Sequence, residues 1–231
     1  MEKNNNENEQ QSWNRHWGKP TIINKFKKIN VAYPEIIKTL LELSSPDAQC
    51  LELGCGSGTY AIELLLKKRQ CLASDYSQKA LAMAQIKGRK LYHIDVPTQL
   101  IDIYNIPYPD NTFDLVFSNG LLEHLDILKA LAEMKRVLKP SGWMVAEVSS
   151  NKLLFKLVYK LISFTENQPD EAWLPKEQWK KMLVETGYKN VEVSDCASIL
   201  HGFMMRMLKT KKYNQLIPSW GKIYFLTKAQ K

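Results

Sequence analysis

Long hydrophobic runs are missing from this 231-residue sequence. A helix that crosses a bilayer needs about 18 or more consecutive apolar residues, and no stretch here approaches that length. The segment Met1 to Gln11 is rich in Asn, Glu and Gln and lacks the apolar core of a secretory signal. We therefore expect a cytoplasmic protein in which residues 1–11 form a disordered tail, because so polar a segment buries too little surface to offset its ordering entropy.

Cysteine is also scarce. The four cysteines are Cys50, Cys55, Cys71 and Cys196, and no two of them form a C-x-x-C pair. This spacing predicts neither a disulfide framework nor a zinc site, and it is typical of a chain kept in a reducing compartment. We expect no metal site.

Acidic residues are few in the last third of the chain. Residues 151–231 contain 14 Lys and Arg against 7 Asp and Glu, whereas residues 1–150 contain 18 against 17. The net charge of +8 therefore belongs almost wholly to the C-terminal third. The length and the 45% apolar composition fit one globular domain with a substantial core, which we expect over residues 12–231.

The most informative stretch is a turn built on three glycines spaced two residues apart, Gly54, Gly56 and Gly58. A short apolar run that holds Glu52 precedes the turn, and a helical pattern over 60–69 follows it. A strand, a glycine turn and a helix in that order bring bare backbone and the positive end of a helix dipole against a ligand. The pattern favours a nucleotide-type ligand. The alternative is an ordinary tight turn between a strand and a helix.

The spacing of the glycines excludes two common nucleotide-binding motifs. A dinucleotide fingerprint needs its third glycine where this chain has Thr59, and a P-loop needs Gly-Lys-Ser/Thr, which is absent. Asp75 ends the next apolar strand and lies 21 residues after Gly54, about where a carboxylate meets the two hydroxyls of a bound ribose. The alternative role of Asp75 is to cap the helix predicted over 77–89, although Ser77 is the better cap.

Several further motifs follow in register. They are Leu51-Glu-Leu-Gly-Cys-Gly-Ser-Gly58, Asp75, Asp102, Ile106-Pro-Tyr-Pro-Asp-Asn-Thr-Phe-Asp-Leu-Val116 and Phe117-Ser-Asn-Gly-Leu-Leu-Glu-His-Leu125. In this order and spacing the sequence resembles the class I S-adenosylmethionine (SAM)-dependent methyltransferases, and among them the group called methyltransferase type 11. The resemblance covers roughly residues 48–148. The chain departs from many relatives at Ile101, where they carry Gly before the adenine-side acid.

The resemblance implies how the glycine turn would bind SAM. The backbone from Gly54 through Cys55 and Gly56 to Gly58 would pass beneath the methionine part of the cofactor. Glu52 would help to orient the amino group of that methionine.

The resemblance also implies a nucleoside side to the site. Asp75 would hold the ribose hydroxyls, and Tyr76 would lie against the adenine. Asp102 would accept a hydrogen bond from the adenine amino group, beside the apolar Ile103. Because ligands of open α/β sheets bind at the carboxyl ends of the strands, all of these positions would fall on one rim.

The end of the fourth strand would meet the reactive part of the cofactor. By the resemblance, Ser118 and Asn119 would line the floor near the sulfonium. His124 follows on the same rim and is our candidate general base, which suits a hydroxyl acceptor at neutral pH. The alternative is a surface or helix-capping histidine, and His201 is a weaker candidate in the variable region.

The alternation of strands and helices predicts an α/β fold. The resemblance implies a Rossmann-like sheet of seven mostly parallel strands with helices on both faces and an antiparallel last strand. Residues 12–46 would form an N-terminal helical cap in which Trp13 and Trp17 share one helix face. That face would either pack on the core or cover the ligand cleft. Residues 149–190 and 197–222 would form insertions on the substrate side.

Two stretches bear on the substrate. Residues 152–164 repeat a lysine every four positions, at Lys152, Lys156 and Lys160, within an amphipathic helical pattern. This helix would cover the domain with its lysines in water, touch an anionic membrane, or capture substrate. Residues 203–208 read Phe-Met-Met-Arg-Met-Leu, which is either a core helix or the wall of a pocket for a bulky apolar substrate.

The sequence therefore predicts a methyltransferase that converts SAM to S-adenosylhomocysteine and methylates a small molecule, with a hydroxyl of an apolar or lipid-linked metabolite as the first choice of acceptor. N- and C-methylation fit the same rim. The alternatives are an RNA or protein methyltransferase and a non-catalytic SAM-binding scaffold. Nucleic acid is not the expected partner, because Ser118-Asn-Gly-Leu121 stands where an N-P-P-Tyr tetrad would and no RNA-binding module is evident. Peripheral contact with an anionic membrane through residues 152–164 is a further expectation, and no oligomeric state is predicted.

Overall fold

The computed structural model describes residues 2–18, 34–149, 174–198 and 222–231, and seven strands in these ranges form one sheet. The strands are β1 (Gln49–Leu53), β2 (Gln70–Asp75), β3 (Thr98–Leu100), β4 (Phe113–Asn119), β5 (Leu138–Ser149), β6 (Lys189–Ser198) and β7 (Lys222–Gln230). Their order across the sheet is β3-β2-β1-β4-β5-β7-β6.

Most neighbouring strands run parallel. β1 pairs in parallel with β2 and β4, β2 with β3, and β4 with β5, whereas β7 is antiparallel to both β5 and β6. The predicted mostly parallel sheet with an antiparallel last strand is confirmed. The chain order reverses between β1 and β4, and a crevice opens at the carboxyl ends of the strands at such a point.

Six helices accompany the sheet in the described ranges. They are α1 (Glu2–Trp17), α2 (Pro34–Glu42), α3 (Thr59–Leu66), α4 (Gln78–Lys87), α5 (Ile127–Val137) and α6 (Lys176–Glu185). A short π-helical turn (Gly88–Tyr92) follows α4, and a 3₁₀ turn (Leu122–His124) precedes α5. The helices predicted over 35–43, 60–69, 77–89 and 177–186 are present. The predicted cap of α4 is confirmed, since the Ser77 hydroxyl accepts a hydrogen bond from the Ala80 N–H at 3.3 Å.

Helices cover both faces of the sheet, so each face carries its own core. On one face, Met134 of α5 and Trp179 of α6 are fully buried against β4, β5 and β7. On the other, Leu40 of α2 and Leu64 of α3 are fully buried against β1 and β2. Strands buried on both faces explain why β1 and β4 read as near-continuous apolar runs in the sequence.

The N-terminal segment differs from its prediction. Residues 1–11 were expected to be a disordered tail, but α1 starts at Glu2 and runs unbroken to Trp17. No Gly or Pro precedes Gly18, so nothing in the segment stops a helix. Tertiary contacts then support it, because the Asn14 side-chain oxygen accepts a hydrogen bond from the Ser77 hydroxyl at 2.7 Å. Packing of this kind supplies the stability that a short polar helix lacks in isolation.

Two predicted features lie outside the described residues. Residues 150–173 include the whole lysine-striped stretch 152–164, and residues 199–221 include His201 and the Met-rich stretch. The substrate-side insertions and the division of the chain into cap and domain therefore stay predictions. In the described part of the chain, no helix combines the length and apolar character that crossing a bilayer requires.

Candidate functional site

A cavity of about 430 Å³ opens at the carboxyl ends of β1 to β5, and α1 lies across it. Its volume is within the range of small-molecule sites. Ten of the twelve predicted site residues line it: Glu52, Gly54, Cys55, Gly56, Asp75, Tyr76, Asp102, Ile103, Asn119 and His124. The strand ends thus bring together residues that are up to 72 positions apart in the sequence.

The other two predicted residues are not among the described residues that line the cavity. Gly58 has φ +71° and precedes α3, and a Cβ placed there would lie 2.7 Å from Cβ of Ala84. Its place in the turn is therefore set by the packing of α3 against α4. Ser118 pairs with Leu53 inside the sheet and is 3% exposed. Asn119 is the last residue of β4 and lines the cavity, whereas Ser118 lies one residue further inside the sheet and does not.

Two buried acids hold the glycine turn in place. Oε2 of Glu52, which is 1% exposed, accepts a hydrogen bond from the Ala61 N–H at 2.9 Å, and burial raises the pKa of Glu52 to about 8. Oδ2 of Asp75 accepts from the Gly56 N–H at 2.9 Å and Oδ1 from the Ser77 N–H at 2.8 Å. Burial raises the pKa of Asp75, and these hydrogen bonds act in the opposite direction. Each carboxylate oxygen keeps a second lone pair for a ligand.

Helix α1 places aromatic rings on the same turn. Gly56 has φ +51°, and a Cβ there would lie 2.5 Å from Cη2 of Trp17. The position therefore requires glycine for its conformation and for the close approach of the ring. Trp13 meets His124 edge to face with ring centroids 5.5 Å apart. Both tryptophans line the cavity, so this face of α1 lies over the cleft.

The remaining predicted positions lie along the rim. Oδ1 of Asp102 accepts a hydrogen bond from the Tyr104 N–H at 2.9 Å, which fixes the loop after β3. Oδ1 of Asn119 is buried, and no hydrogen-bond donor reaches it from the described residues. His124 lies on the 3₁₀ turn, beside the ring of Trp13.

Sequence reasoning missed three polar residues at the β5 end of the cavity, Glu123, Glu147 and Ser149. Glu123 and Glu147 are 4% and 3% exposed. The Ser149 hydroxyl and N–H donate to Oε1 of Glu123 at 2.8 and 3.2 Å. Glu147 interrupts an apolar strand as Glu52 does in β1, and that signal in the sequence was available. The proximity of Glu123 was not, because a turn of the chain brings it there.

The described residues contain no set of side chains suited to bind a metal ion. No group of three or more His, Cys, Asp and Glu side chains among them could hold a metal ion. All four cysteines are free and buried.

Comparisons with known proteins agree on one class. Residues 51–146 match a family described as a methyltransferase domain. A demethylmenaquinone methyltransferase of Staphylococcus epidermidis is 31% identical over 172 residues, which cover 63% of this chain and 70% of that protein. An uncharacterized protein of Methanocaldococcus jannaschii is 32% identical over 144 residues, covering 59% of this chain and 60% of that protein.

The fold has solved counterparts as well. A SAM-dependent methyltransferase from Mesorhizobium loti superposes with a TM-score of 0.65 at 17% identity, covering 89% of this chain and 100% of that one. The chain belongs to the class I SAM-dependent methyltransferases, as the motifs predicted, and its cofactor is SAM.

The residues of the cavity fit that cofactor. Gly54 and Gly56 expose bare backbone to the cavity, and Glu52 and Asp75 place acids near the ends of β1 and β2. Oδ1 of Asn119, which no donor from the described residues reaches, offers a further acceptor at the end of β4. A positively charged amino acid joined to a nucleoside matches such a set of acceptors, since ammonium and hydroxyl groups both donate hydrogen bonds.

Proposed function

We propose that this protein transfers a methyl group from SAM to a hydroxyl of an apolar or lipid-linked small molecule. The observation that carries the proposal is the division of the cavity. Acids line it at the ends of β1 and β2 and after β3, where they would serve the cofactor, and a separate group of side chains surrounds the ends of β4 and β5. The walls between them are largely apolar, with Leu53, Ile101, Leu121, Leu125 and Tyr224 among the lining residues.

The roles of the chain's own residues follow from their positions. Bound SAM supplies a methyl group on a positively charged sulfur. Glu52 would accept from its amino group, Asp75 from the ribose hydroxyls and Asp102 from the adenine, as the family resemblance implies. Trp13 and Trp17 would exclude water from the cleft, because their rings lie over it. In such a transfer the protein mainly aligns the acceptor with the S–CH₃ bond, and it needs a base only if the acceptor loses a proton.

The names of the relatives support an apolar acceptor. Demethylmenaquinone methyltransferases of Staphylococcus and Corynebacterium are 28–31% identical to this chain over 168–172 residues. We therefore choose the reduced, hydroquinone form of demethylmenaquinone as the first acceptor to test. The basic excess of the C-terminal third favours an acceptor, or a surface, that carries negative charge.

Calorimetric titration with SAM and with S-adenosylhomocysteine, followed by an assay of methyl transfer, tests the proposal. We expect binding of both compounds with dissociation constants in the micromolar range, on the order of −8 kcal/mol. We also expect release of S-adenosylhomocysteine when a hydroxyl-bearing apolar acceptor is added. Binding without turnover of any acceptor would favour the scaffold alternative, and the absence of binding would contradict the proposal as a whole.

A second test concerns the membrane. Lys152, Lys156 and Lys160 lie outside the described residues, so this proposal rests on the sequence pattern of residues 152–164. Each lysine near an anionic surface contributes about 1 kcal/mol, so replacement of all three by Gln should abolish sedimentation with phosphatidylserine vesicles. SAM affinity should stay unchanged in the same variant. If the wild-type protein ignores these vesicles in the first place, the membrane contact is wrong.

A further inference from the structure

Two buried carboxyl groups face the cavity at its β5 end. Glu147 lies near the end of β5 and Glu123 on the 3₁₀ turn after β4, and both line the cavity at 3% and 4% exposure. Buried carboxyl groups are rare unless they are paired with a donor or serve a ligand. Two of them beside one cavity therefore call for an explanation.

The two groups are held differently. Oε1 of Glu123 accepts two hydrogen bonds from Ser149, one from the hydroxyl at 2.8 Å and one from the N–H at 3.2 Å. No donor from the described residues reaches Oε1 of Glu147. The buried acids at the cofactor end contrast with this, since Glu52 and Asp75 each accept at least one backbone N–H. Glu147 therefore lines the cavity, and its Oε1 is a buried acceptor that no donor from the described residues reaches.

The position of Glu147 sets it apart from the cofactor acids. Glu147 pairs with Asn119 across β4 and β5, and the strand order β2-β1-β4-β5 places it three strands from Asp75. At about 4.8 Å per strand this is on the order of 14 Å along the rim. A molecule that spans the acids of β1 to β3 ends near β4, so Glu147 lies on the side from which an acceptor would approach.

We propose that Glu147 is the catalytic base of the acceptor site and takes the proton of the acceptor's hydroxyl group, with Glu123 and Ser149 as positioning residues. This inference rests on the proposed function. In the transfer, the acceptor oxygen forms a bond to the methyl carbon while the S–CH₃ bond breaks and its electron pair stays on sulfur. The hydroxyl proton passes to the Glu147 carboxylate. Charge balances, because one sulfonium and one carboxylate become a neutral thioether and a neutral carboxylic acid.

The electrostatics of the pair suit this role. Burial, and then the negative charge of Glu123, raise the pKa of Glu147 to about 8. A base whose pKa lies near the working pH combines a usable ionised fraction with a strong pull on the proton. Other titratable groups also line the cavity. Those on the helices and strands are His16 of α1, Glu52 of β1, Asp75 of β2, Tyr60 of α3 and Tyr224 of β7. Those in turns and loops are Cys55, Tyr76, Asp102, Tyr104, Glu123 and His124.

The decisive experiment compares wild type with Glu147→Gln, which keeps the shape of the side chain and removes the base. The probes are SAM with 1-naphthol and with reduced demethylmenaquinone in detergent micelles, between pH 6 and pH 9.5. We expect the wild-type turnover to rise with pH and to level off above about pH 8. Glu147→Gln should lose at least about a hundredfold in turnover and should lose that pH dependence, while its dissociation constant for SAM stays within about twofold.

A matched control and a second readout separate a catalytic role from a structural one. Glu192→Gln is the same substitution on the exposed edge strand β6, where the side chain is 66% exposed, and it should leave turnover unchanged. In the folded protein Glu147 ionises near pH 8, whereas in the unfolded chain it ionises near 4.5. Wild-type stability should therefore fall between these two values and stay level above them. Relative to wild type, the melting temperature of Glu147→Gln should rise by several degrees on going from pH 5 to pH 9.

Each outcome decides one question. Loss of SAM binding by the wild-type protein would count against the proposed function itself. Wild-type turnover that Glu147→Gln retains, with the same pH profile, would overturn the role of Glu147 and leave the methyltransferase proposal standing. If His124→Gln instead removes the pH dependence, the base is His124. Binding of SAM with no methylation of either hydroxyl probe would overturn the assignment of a hydroxyl acceptor and of its base.

Discussion

Replacing Asp75 by Ala is expected to weaken SAM binding more than tenfold. The side chain is 8% exposed at the end of β2, and its two oxygens accept the N–H groups of Gly56 and Ser77. The substitution removes the acceptor for the ribose hydroxyls and leaves two buried N–H groups without a partner. A hydrogen bond to a charged group contributes about 1.5–3 kcal/mol, and a tenfold loss of affinity needs only about 1.4 kcal/mol. Calorimetric titration with SAM measures the effect.

Two further variants give this experiment its controls. Asp95→Ala is the same substitution at an exposed position, where the carboxylate pairs with Arg89, and it should leave SAM affinity unchanged. Asp75→Asn keeps one acceptor oxygen and the packing, so it should bind more tightly than Asp75→Ala and distinguish a lost contact from a collapsed turn. If Asp75→Ala binds SAM within twofold of wild type, Asp75 does not hold the ribose.

Gly56→Ala is expected to abolish measurable SAM binding and to destabilise the fold. An alanine at φ +51° carries roughly 1–2 kcal/mol of backbone strain. Its Cβ would also lie 2.5 Å from the Trp17 ring, and such overpacking costs about 1–3 kcal/mol more. Together these shift the turn on which the cofactor would lie and displace α1. The free energy of unfolding in urea and the dissociation constant for SAM are the measurements.

Gly120 offers a matched comparison for Gly56→Ala. It also has a left-handed backbone, with φ +63°, but no atom of the described residues lies within 4 Å of a Cβ placed there. Gly120→Ala should therefore show the strain without the clash and destabilise less. In a Trp17→Ala background, Gly56→Ala should destabilise the fold less, because the clash with the ring is gone and only the backbone strain remains. Equal losses for Gly56→Ala and Gly120→Ala, unchanged by Trp17→Ala, would mean that the ring does not rest on the turn.

The sheet and the cofactor end of the site were predictable because their signals are local. Glu52, the next-to-last residue of β1, and Asp75, the last residue of β2, each place an acid near the end of a buried apolar run. The glycine turn and the Ser77 cap each lie within a few residues of the element they serve. Such patterns need no knowledge of what packs against them, and parallel strands then bring their carboxyl ends to one rim.

The predictions that differ from the structure concern features that depend on packing between distant segments. Residues 2–11 read as disordered, yet the structure places them in a helix whose next turn bonds through Asn14 to Ser77, 63 positions away. Ser118 and Asn119 are equivalent in the motif, but only Asn119, the last residue of β4, lines the cavity. A pattern along the chain cannot distinguish these outcomes, because the free energy that stabilises each arrangement comes from contacts with residues that lie outside the pattern.

The sequence by itself therefore determined the fold class and the cofactor, since those are encoded in short motifs with a fixed spacing. Only the tertiary structure decided what closes the cleft and what stands at its far end. Trp17 over Gly56, and Glu147 beside Glu123 at a distance of 24 positions in the chain, are contacts between separate elements. The folded sheet sets the distance between such elements, and burial then changes the chemistry of the groups that they bring together.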